Sequence, residues 1–176
     1  MNKLLDEVML ARGLIIATPV YWYSIPGQLK NFIDRLTALE NMIVVKGRSL
    51  LEGKVAAFIA VGNDHGAIMT IAHLMITLNS MGAIIPPWAL AYYSRKGDAL
   101  QDKNAILDAA NIGKIMVKMM NLTPKDIEWY EPNIILDEII AEVRETIREY
   151  ERKQYWERKR IFSLRNNARR QIAQER

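Results

Sequence analysis

The sequence predicts an α/β domain built on a parallel sheet, followed by a long basic helix. Strand-like apolar segments alternate with amphipathic helix-like segments up to about residue 121, and the first strand, residues 14–18, is apolar on both faces. The charge is also divided, because residues 144–176 contain eleven Lys or Arg against five Asp or Glu, whereas the remainder has a net charge of −2. We therefore expect two parts, residues 1–121 and residues 122–176.

The first predicted elements are helix, strand and helix. A helix over residues 2–11 carries Leu4, Leu5, Val8 and Met9 on one face, and Gly13 separates it from the strand at residues 14–18. Ser24 is predicted to cap the next helix and Pro26 to lie in its first turn. The apolar positions of that helix recur at helical spacing: Leu29, Phe32, Ile33, Leu36 and Leu39.

The pattern then repeats. Residues 54–62 predict a second buried strand, and residues 82–88 a short third strand stopped by two prolines, which cannot donate to a ladder. Between them lies a helix with predicted apolar positions Ile68, Ile71, Ala72, Met75, Ile76 and Leu78. Residues 105–120 predict another helix, with Ile106, Ile112, Ile115, Met116 and Met119 inward. Such repeats imply parallel pairing with right-handed crossovers.

The C-terminal part predicts one long helix. Its apolar positions recur at helical spacing: Leu136, Ile140, Val143, Ile147, Tyr150, Ile161, Leu164 and Ala168. A helix over residues 134–174 would extend about 60 Å, longer than the domain, so part of it must project or pair with a partner. We expect the apolar half up to Tyr150 to dock on the domain or on another subunit, and residues 158–160 and 165–170 to face water or a partner.

Two loops are the candidate binding site. Residues 18–24 follow the first strand and residues 62–66 the second, and ligands of open parallel sheets bind beyond the carboxyl ends of the strands. The first loop crowds Tyr21, Trp22 and Tyr23 into a turn, and the second has glycines that let main-chain N–H groups approach a ligand. A flat aromatic ligand is expected here, although the aromatic side chains could equally plug the end of the sheet.

Composition excludes several classes of protein. The chain has no cysteine, which excludes disulfides, thiol nucleophiles and cysteine-ligated metals within it, and its two histidines, His65 and His73, are too few for a histidine-rich metal centre. We also find no paired carboxylates, Ser-His-Asp set or Walker loop. Its apolar runs are far shorter than the roughly 20 residues of a membrane span, and no signal-peptide pattern opens it, so we expect a cytoplasmic protein.

Four motifs occur in order along the chain: ATPVYW at 17–22, QLKNFIDR at 28–35, AVGNDHGA at 60–67 and GAIIPP at 82–87. They resemble motifs of the flavodoxin-like NAD(P)H-dependent FMN reductases and their iron–sulfur flavoprotein relatives. Their order and spacing resemble the second half of those proteins, over roughly residues 2–120. The resemblance implies a flavodoxin-like three-layer parallel sheet that lacks its first two strands, with the long helix appended.

The resemblance also implies a cofactor and its contacts. In that family the Pro-Val-Tyr-Trp turn lies against the isoalloxazine ring of FMN, and the glycine-containing loop after the next strand contacts the other edge. The matching positions are Thr18, Pro19, Val20, Tyr21, Trp22, Gly62, Asn63, Asp64, His65 and Gly66. NAD(P)H would be the substrate, its hydride passing through the flavin to an unidentified acceptor, and no catalytic side chain is required. The family's loop that holds the FMN phosphate has no counterpart in this sequence.

The expected partners follow from the missing strands. In the strand order 2-1-3-4-5, the strand at residues 14–18 becomes a sheet edge with unpaired backbone groups. We therefore expect a second copy or a complementing chain to pair along it, or the natural protein to extend upstream of Met1. Two other functions stay open: a non-catalytic flavodoxin-like subunit acting in assembly, and binding of nucleic acid or another acidic partner through the basic helix. The last is the less expected, since arginine-rich helices often face water or a neighbouring subunit.

Overall fold

The computed structural model describes residues 2–124, 127, 129–130 and 135–174, and the side chains of these residues except Asn2 and residues 163–174. It divides into a sheet unit, Met1–Glu131, and a helix unit, Pro132–Arg176. The sheet unit contains α1 (Asn2–Leu10), β1 (Gly13–Pro19), α2 (Gly27–Glu40), α3 (Met42–Lys46), β2 (Val55–Gly62), α4 (Ala67–Ser80), β3 (Leu90–Ser94), a 3₁₀ turn (Ala99–Gln101) and α5 (Lys103–Leu122). The helix unit contains α6 (Leu136–Gln174). None of the helices in these ranges combines the length and apolarity that crossing a bilayer requires.

The sheet is parallel, in the order β1-β2-β3. The β1–β2 register runs from Gly13 opposite Val55 to Pro19 opposite Val61, and β3 pairs with the second half of β2. The predicted α/β class with a parallel sheet is confirmed. Within the described sheet, β1 has one neighbour only and is therefore an edge, as expected.

Three helices cover one face of the sheet, which we call the covered face. Side chains from α1, α2 and α4 pack there against the inward side chains of β1 and β2. This core contains Val8, Ile16, Ile33, Leu36, Leu39, Phe58, Ile71, Leu74 and Leu78, all buried. The long apolar stripes of α2 and α4 thus form these helices because the sheet removes their apolar faces from water.

Among the described helices of the sheet unit, only α5 packs on the opposite face, against β2 and β3, through Val55, Ala57, Ala91, Ile112 and Met116. Beside β1 this face is open: Ile15 is 50% exposed, Val61 is 44% exposed, and Ala17 is exposed as well. We call these three residues the open patch. Residues 14–18 are thus apolar on both faces but covered on one, because no described element of the sheet unit lies over the open patch.

The third strand lies later in the chain than predicted. Residues 82–88 form no strand, and Ile84 makes only one isolated bridge to β2, whereas β3 runs over Leu90–Ser94. Pro86 and Pro87 have no N–H to donate, and Trp88 adopts a left-handed backbone with φ 54°. A regular ladder can begin only after these three residues.

Some predicted helix positions face solvent. Ser24 caps nothing, since Pro26 occupies the N-cap position of α2 in an extended conformation and no side chain caps that end. The predicted inward side chains that are exposed are Leu4, Met9, Ile68, Ala72, Ile76 and Ile106. Each helix rests on a single surface and buries a narrower stripe than its apolar pattern suggests. The long C-terminal helix is present, and its predicted start at residue 134 lies outside the described residues.

Two charged side chains fix chain segments near the amino end of β2. Buried Glu52 accepts hydrogen bonds from the N–H groups of Trp129 and Tyr130. The Nζ atom of Lys54 donates to two carbonyls at the end of α1, at 2.9 and 2.6 Å. Burial lowers the pKa of Lys54, because desolvation penalises the charged ammonium. These contacts hold the segments that follow α1 and α5 against the sheet.

Candidate functional site

The two predicted loops meet at the carboxyl end of the sheet. The N–H of Val20 donates to the carbonyl of Val61 at 2.9 Å, so the first loop begins where the β1–β2 ladder stops. A Cβ on Gly62 would lie 3.3 Å from Cβ of Val20, and a Cβ on Gly66 would lie only 2.8 Å from Cα of Tyr23. The absence of side chains at these two glycines therefore lets the loops contact each other.

The aromatic turn has a strained backbone. Tyr21 and Ser24 exchange two backbone hydrogen bonds, at 2.9 and 3.1 Å, which close a two-residue hairpin turn. Its central residues, Trp22 and Tyr23, both have left-handed φ values, of 51° and 64°. Turns with two positive φ angles usually carry Asn-Gly, and a non-glycine residue there costs about 1–2 kcal/mol. Such strain is characteristic of functional sites.

The strained turn displays its rings to solvent. The side chain of Trp22 is 94% exposed, and Tyr21 and Tyr23 are each more than half exposed. A ring that plugged the end of the sheet would be buried, so this exposure argues against that alternative. The turn instead presents aromatic faces at the place where a ligand of an open sheet binds.

The glycine loop supplies polar groups beside these rings. Oδ1 of Asp64 lies 3.0 Å from Nε2 of His65, and both side chains are largely exposed. Gly66, at φ 94°, precedes α4. Among the hydrogen bonds of the described residues, none uses the N–H groups of Trp22, Tyr23, Asp64 or His65. These four donors are therefore available to a ligand.

The other predicted site residues form the base of the two loops. Thr18 is buried, and its hydroxyl donates to the carbonyl of Pro19 at 2.9 Å. This hydrogen bond holds the backbone at the start of the loop. Gly62 is buried at the end of β2, while Pro19 and Asn63 are exposed. The structure thus gathers the predicted positions at one end of the sheet, with Thr18 directed at the backbone.

A third loop at the same end is absent from the predicted site. A cleft of about 490 Å³ follows β3, and its lining includes Tyr93, Arg95, Lys96, Asp98, Asp102 and Lys103. Nη2 of Arg95 lies 2.6 Å from Oδ2 of Asp102, and the same carboxylate accepts from the N–H groups of Asn104 and Ala105 at the start of α5. The sequence signal for this loop is the strand LAYYS, which ends directly before Arg95. The loop was missed because the third strand was predicted at residues 82–88.

Both candidate loops lie within the part of the chain that matches a known protein family. The sequence profile of the NADPH-dependent FMN reductase family matches residues 1–96. The chain belongs to this family. The resemblance carried by the PVYW turn and the glycine loop is therefore confirmed at the level of the family.

Two relatives support the assignment to this FMN reductase family. A Bacillus subtilis protein, named as an NAD(P)H-dependent FMN-containing oxidoreductase, is 30% identical over 117 residues, which are 64% of this chain and 65% of that protein. An iron-sulfur flavoprotein of Methanocaldococcus jannaschii is 36% identical over 85 residues, which are 46% of this chain and 41% of that protein. The chain thus spans less than two thirds of the length of either relative.

Solved structures establish the fold. A flavodoxin, WrbA-like protein from Agrobacterium tumefaciens superimposes with a TM-score of 0.53 at 15% identity, covering 68% of this chain and 74% of that one. At this identity the likeness concerns the fold alone. The flavodoxin-like class predicted from the motifs is confirmed.

Proposed function

We propose that this chain binds the ring of FMN and acts as part of an NAD(P)H-dependent flavin oxidoreductase. The observation that carries the proposal is the turn at Tyr21–Ser24, which holds Trp22 and Tyr23 in a strained, exposed conformation beside the glycine loop. Membership of the FMN reductase family supports it.

The residues present fit an isoalloxazine ring. Tyr21 and Trp22 offer aromatic faces, which favour stacking by about 0.5–1.5 kcal/mol per ring pair beyond burial. The ring also has carbonyl and nitrogen acceptors along one edge, and the N–H groups of Asp64 and His65 are free to donate to such atoms within the described structure. A side chain at Gly66 would collide with the aromatic turn, so the glycine allows the turn and the glycine loop to lie in contact.

FMN, when bound, supplies the redox chemistry by taking a hydride from a nicotinamide and passing electrons onward. The side chains of this chain then have positioning roles. Tyr21 and Trp22 bind and orient the ring, and the backbone N–H groups of the glycine loop hold its polar edge. The carboxylate of Asp64 keeps His65 at the rim through their 3.0 Å contact. No proton transfer by a side chain is required.

Flavin titration of matched tryptophan variants tests the proposal. Trp22 and Trp88 are both exposed and both left-handed, but Trp88 precedes β3 and so lies toward the opposite end of the sheet. Trp22→Ala should weaken binding of riboflavin and FMN by about threefold to tenfold, whereas Trp88→Ala should leave both unchanged. Anaerobic NADPH should bleach the bound flavin.

The contrary result is a folded protein that binds neither riboflavin nor FMN at millimolar concentration. It would overturn the proposal and favour the non-catalytic subunit. Equal losses in Trp22→Ala and Trp88→Ala would also contradict it, because stacking at the first loop predicts a difference between the two variants.

We further propose that a strand pairing in parallel with β1 completes the site. Because the Val20 N–H and the Arg12 carbonyl face β2, alternation directs the backbone groups of Ile15 and Ala17 to the open edge. A parallel strand there would end beside Pro19, which would bring its following loop next to the aromatic turn. That loop is where contacts to the FMN phosphate are expected, and a following helix would cover the open patch.

Symmetry favours a complementing segment over a second copy at this edge. A two-fold axis perpendicular to the strands reverses their direction, so two copies would pair their β1 strands antiparallel. The aromatic turn of the second copy would then lie at the far end of the joint sheet. A two-fold axis along the strands would place identical outward backbone groups opposite each other, which a parallel ladder does not allow. A strand–loop–helix segment from another source meets the requirement for parallel pairing.

Proline substitution tests this pairing. A synthetic strand–loop–helix polypeptide with a Ser- and Gly-rich loop should raise the affinity for FMN but not for riboflavin. Ala17→Pro, which removes an outward N–H while leaving the β1–β2 ladder, should abolish the gain, and Ala17→Val should keep it. If amide exchange at Ile15 and Ala17 is already as slow as at Ile16 in the chain alone, the edge is occupied and the proposal fails.

A further inference from the structure

The helix unit carries a heptad seam. In the part of α6 whose side chains are described, one row of residues is spaced alternately four and three residues apart and is mostly apolar. We call this row the seam; it consists of Leu136, Ile140, Val143, Ile147, Tyr150, Gln154, Glu157 and Ile161. With Ile140 at heptad position a, the a and d positions together form this series. A spacing that averages 3.5 residues is the pattern of a coiled-coil seam. The two polar positions of this seam, Gln154 and Glu157, are consecutive in the series.

The seam is exposed along its length. Its apolar members are 43–64% exposed, from Ile140 at the lower end to Tyr150 at the upper. A 39-residue helix gains most of its stability from burial of its apolar face and little from intrinsic propensity. Three aromatic residues in the described part of α6 lie outside the seam, Tyr155, Trp156 and Phe162, and Lys159 Nζ lies over the first two rings at 4.8 and 5.6 Å. The seam runs from Leu136 to Ile161 and is therefore the surface of α6 suited to a partner helix.

The flanking charges select the direction of that partner. In a parallel pair, position g meets position e of the next heptad, which places Lys153 against the partner's Arg158. This contact repels and occurs twice in the pair. In an antiparallel pair, e positions face e positions, and Asp137 can meet the partner's Arg158 while Arg144 meets the partner's Glu151. Both contacts attract, and symmetry makes each occur twice.

The charges also select the register. In the attractive arrangement, Ile147 lies opposite the partner's Tyr150 and Leu136 opposite the partner's Ile161, so the overlap spans residues 136–161. A shift by one heptad in either direction would place Arg144 opposite the partner's Arg144 or the partner's Arg158. Like charges at directly facing positions are unfavourable.

We infer that two copies of this chain associate through α6 as an antiparallel coiled coil with this register. The exposed heptad seam supplies the contact surface, and the e-position charges supply direction and register. The inference goes beyond the proposed function and concerns residues outside the flavin site. Charge variants in α6 should therefore leave riboflavin and FMN titrations unchanged, so the two proposals fail separately.

Charge exchange in the full chain tests the pairing by sedimentation equilibrium. Arg144→Glu should weaken dimerisation about tenfold or more, because two attractive contacts become repulsive, and Glu151→Arg should do the same. The double variant should restore the dimer to within about threefold of the original affinity. Arg144→Glu also creates an i,i+4 pair with Arg148 inside the helix, so helix loss would not explain the weakening.

A matched control carries the same charge change away from the seam. Arg152 occupies heptad position f, on the outer face, where its Nη2 lies 2.8 Å from Oε1 of Glu145 in the same helix. Arg152→Glu should leave the dimer unchanged although it removes this ion pair. Equal weakening by Arg152→Glu and Arg144→Glu would overturn the inference, because total charge would then explain the effect.

Direction is measured with a single spin label, since the chain has no cysteine of its own. Glu138→Cys places the label at an exposed f position, opposite the partner's Lys159 in the inferred register. The two labels should be about 30 Å apart along the helix axis, whereas a parallel pair would bring them to the same level. A monomer at all concentrations, a parallel distance, or salt-sensitive DNA binding by a monomer would each overturn the inference.

Discussion

The two faces of the sheet have similar apolar composition but differ in how far they are covered. On the covered face, Ile16 and Phe58 are buried beneath three helices. On the opposite face, Ile15 and Val61 remain about half exposed, because α5 alone packs there and lies over β2 and β3. An apolar strand pattern thus identifies a surface suited to burial without specifying what buries it.

The uncovered part of the sheet lies next to the candidate site. The open patch includes Val61 and borders Pro19, where the strained turn begins. One side of the candidate site therefore rests on a complete core, and the other side on a surface that lacks a cover among the described residues. Stability of the sheet unit and completion of the site should consequently respond to different substitutions.

The largest expected effect lies in the covered face. Phe58→Ala should lower the free energy of unfolding by about 3–5 kcal/mol, because it leaves a cavity beneath α4 in a fully buried position. Val61→Ala, on the open patch, should lower it by less than about 1 kcal/mol. Urea unfolding of the two variants measures both values, and similar losses would contradict the contrast between the faces.

Next in size is the contact between the two loops. Gly66→Ala should lower the free energy of unfolding by about 2 kcal/mol, since the new Cβ would meet the Tyr23 backbone at 2.8 Å and φ is 94°. It should also weaken riboflavin binding. Gly113→Ala is the control, because a Cβ at this position would meet no atom within 4 Å apart from its chain neighbours and its own helix backbone. This substitution should stabilise α5 by up to about 1 kcal/mol.

A smaller effect of opposite sign is expected in the turn. Trp22→Asn should raise the free energy of unfolding by about 0.5–1 kcal/mol, because asparagine tolerates the left-handed backbone better and the exposed ring loses little packing. Riboflavin binding should nevertheless weaken. Trp88→Asn should give a similar gain in stability with unchanged binding. If Trp22→Asn destabilises the protein, the turn is not strained in the way the φ angles indicate.

Much of the fold could be predicted from long apolar periodicities, and the departures have local causes. The first two strands and α6 match their predicted segments closely, whereas β3 is displaced because Trp88 extends the break made by Pro86 and Pro87. The exposure of Ile76 could not be predicted, since an apolar helix position does not reveal whether a neighbour covers it.

The site shows the same division. The two loops could be located, because strand ends are visible in the sequence and the carboxyl edge of a parallel sheet gathers its loops. The left-handed turn could not, because the φ angles of Trp22 and Tyr23 depend on the closure of the hairpin between Tyr21 and Ser24. The ion pair of Arg95 with Asp102 could not be predicted either, because the third strand was expected at residues 82–88 and the loop after Ser94 was not recognised.

The smallest expected effect on stability is also the sharpest test of the open face. Ile15→Lys should change the free energy of unfolding of the chain alone by less than about 0.5 kcal/mol, because the side chain is half exposed and lysine is common on edge strands. The same substitution on the next residue, Ile16→Lys, should unfold the sheet unit, since that position is buried. A loss of several kcal/mol from Ile15→Lys would mean that the patch is covered in solution, and the contrast between the two faces would no longer hold.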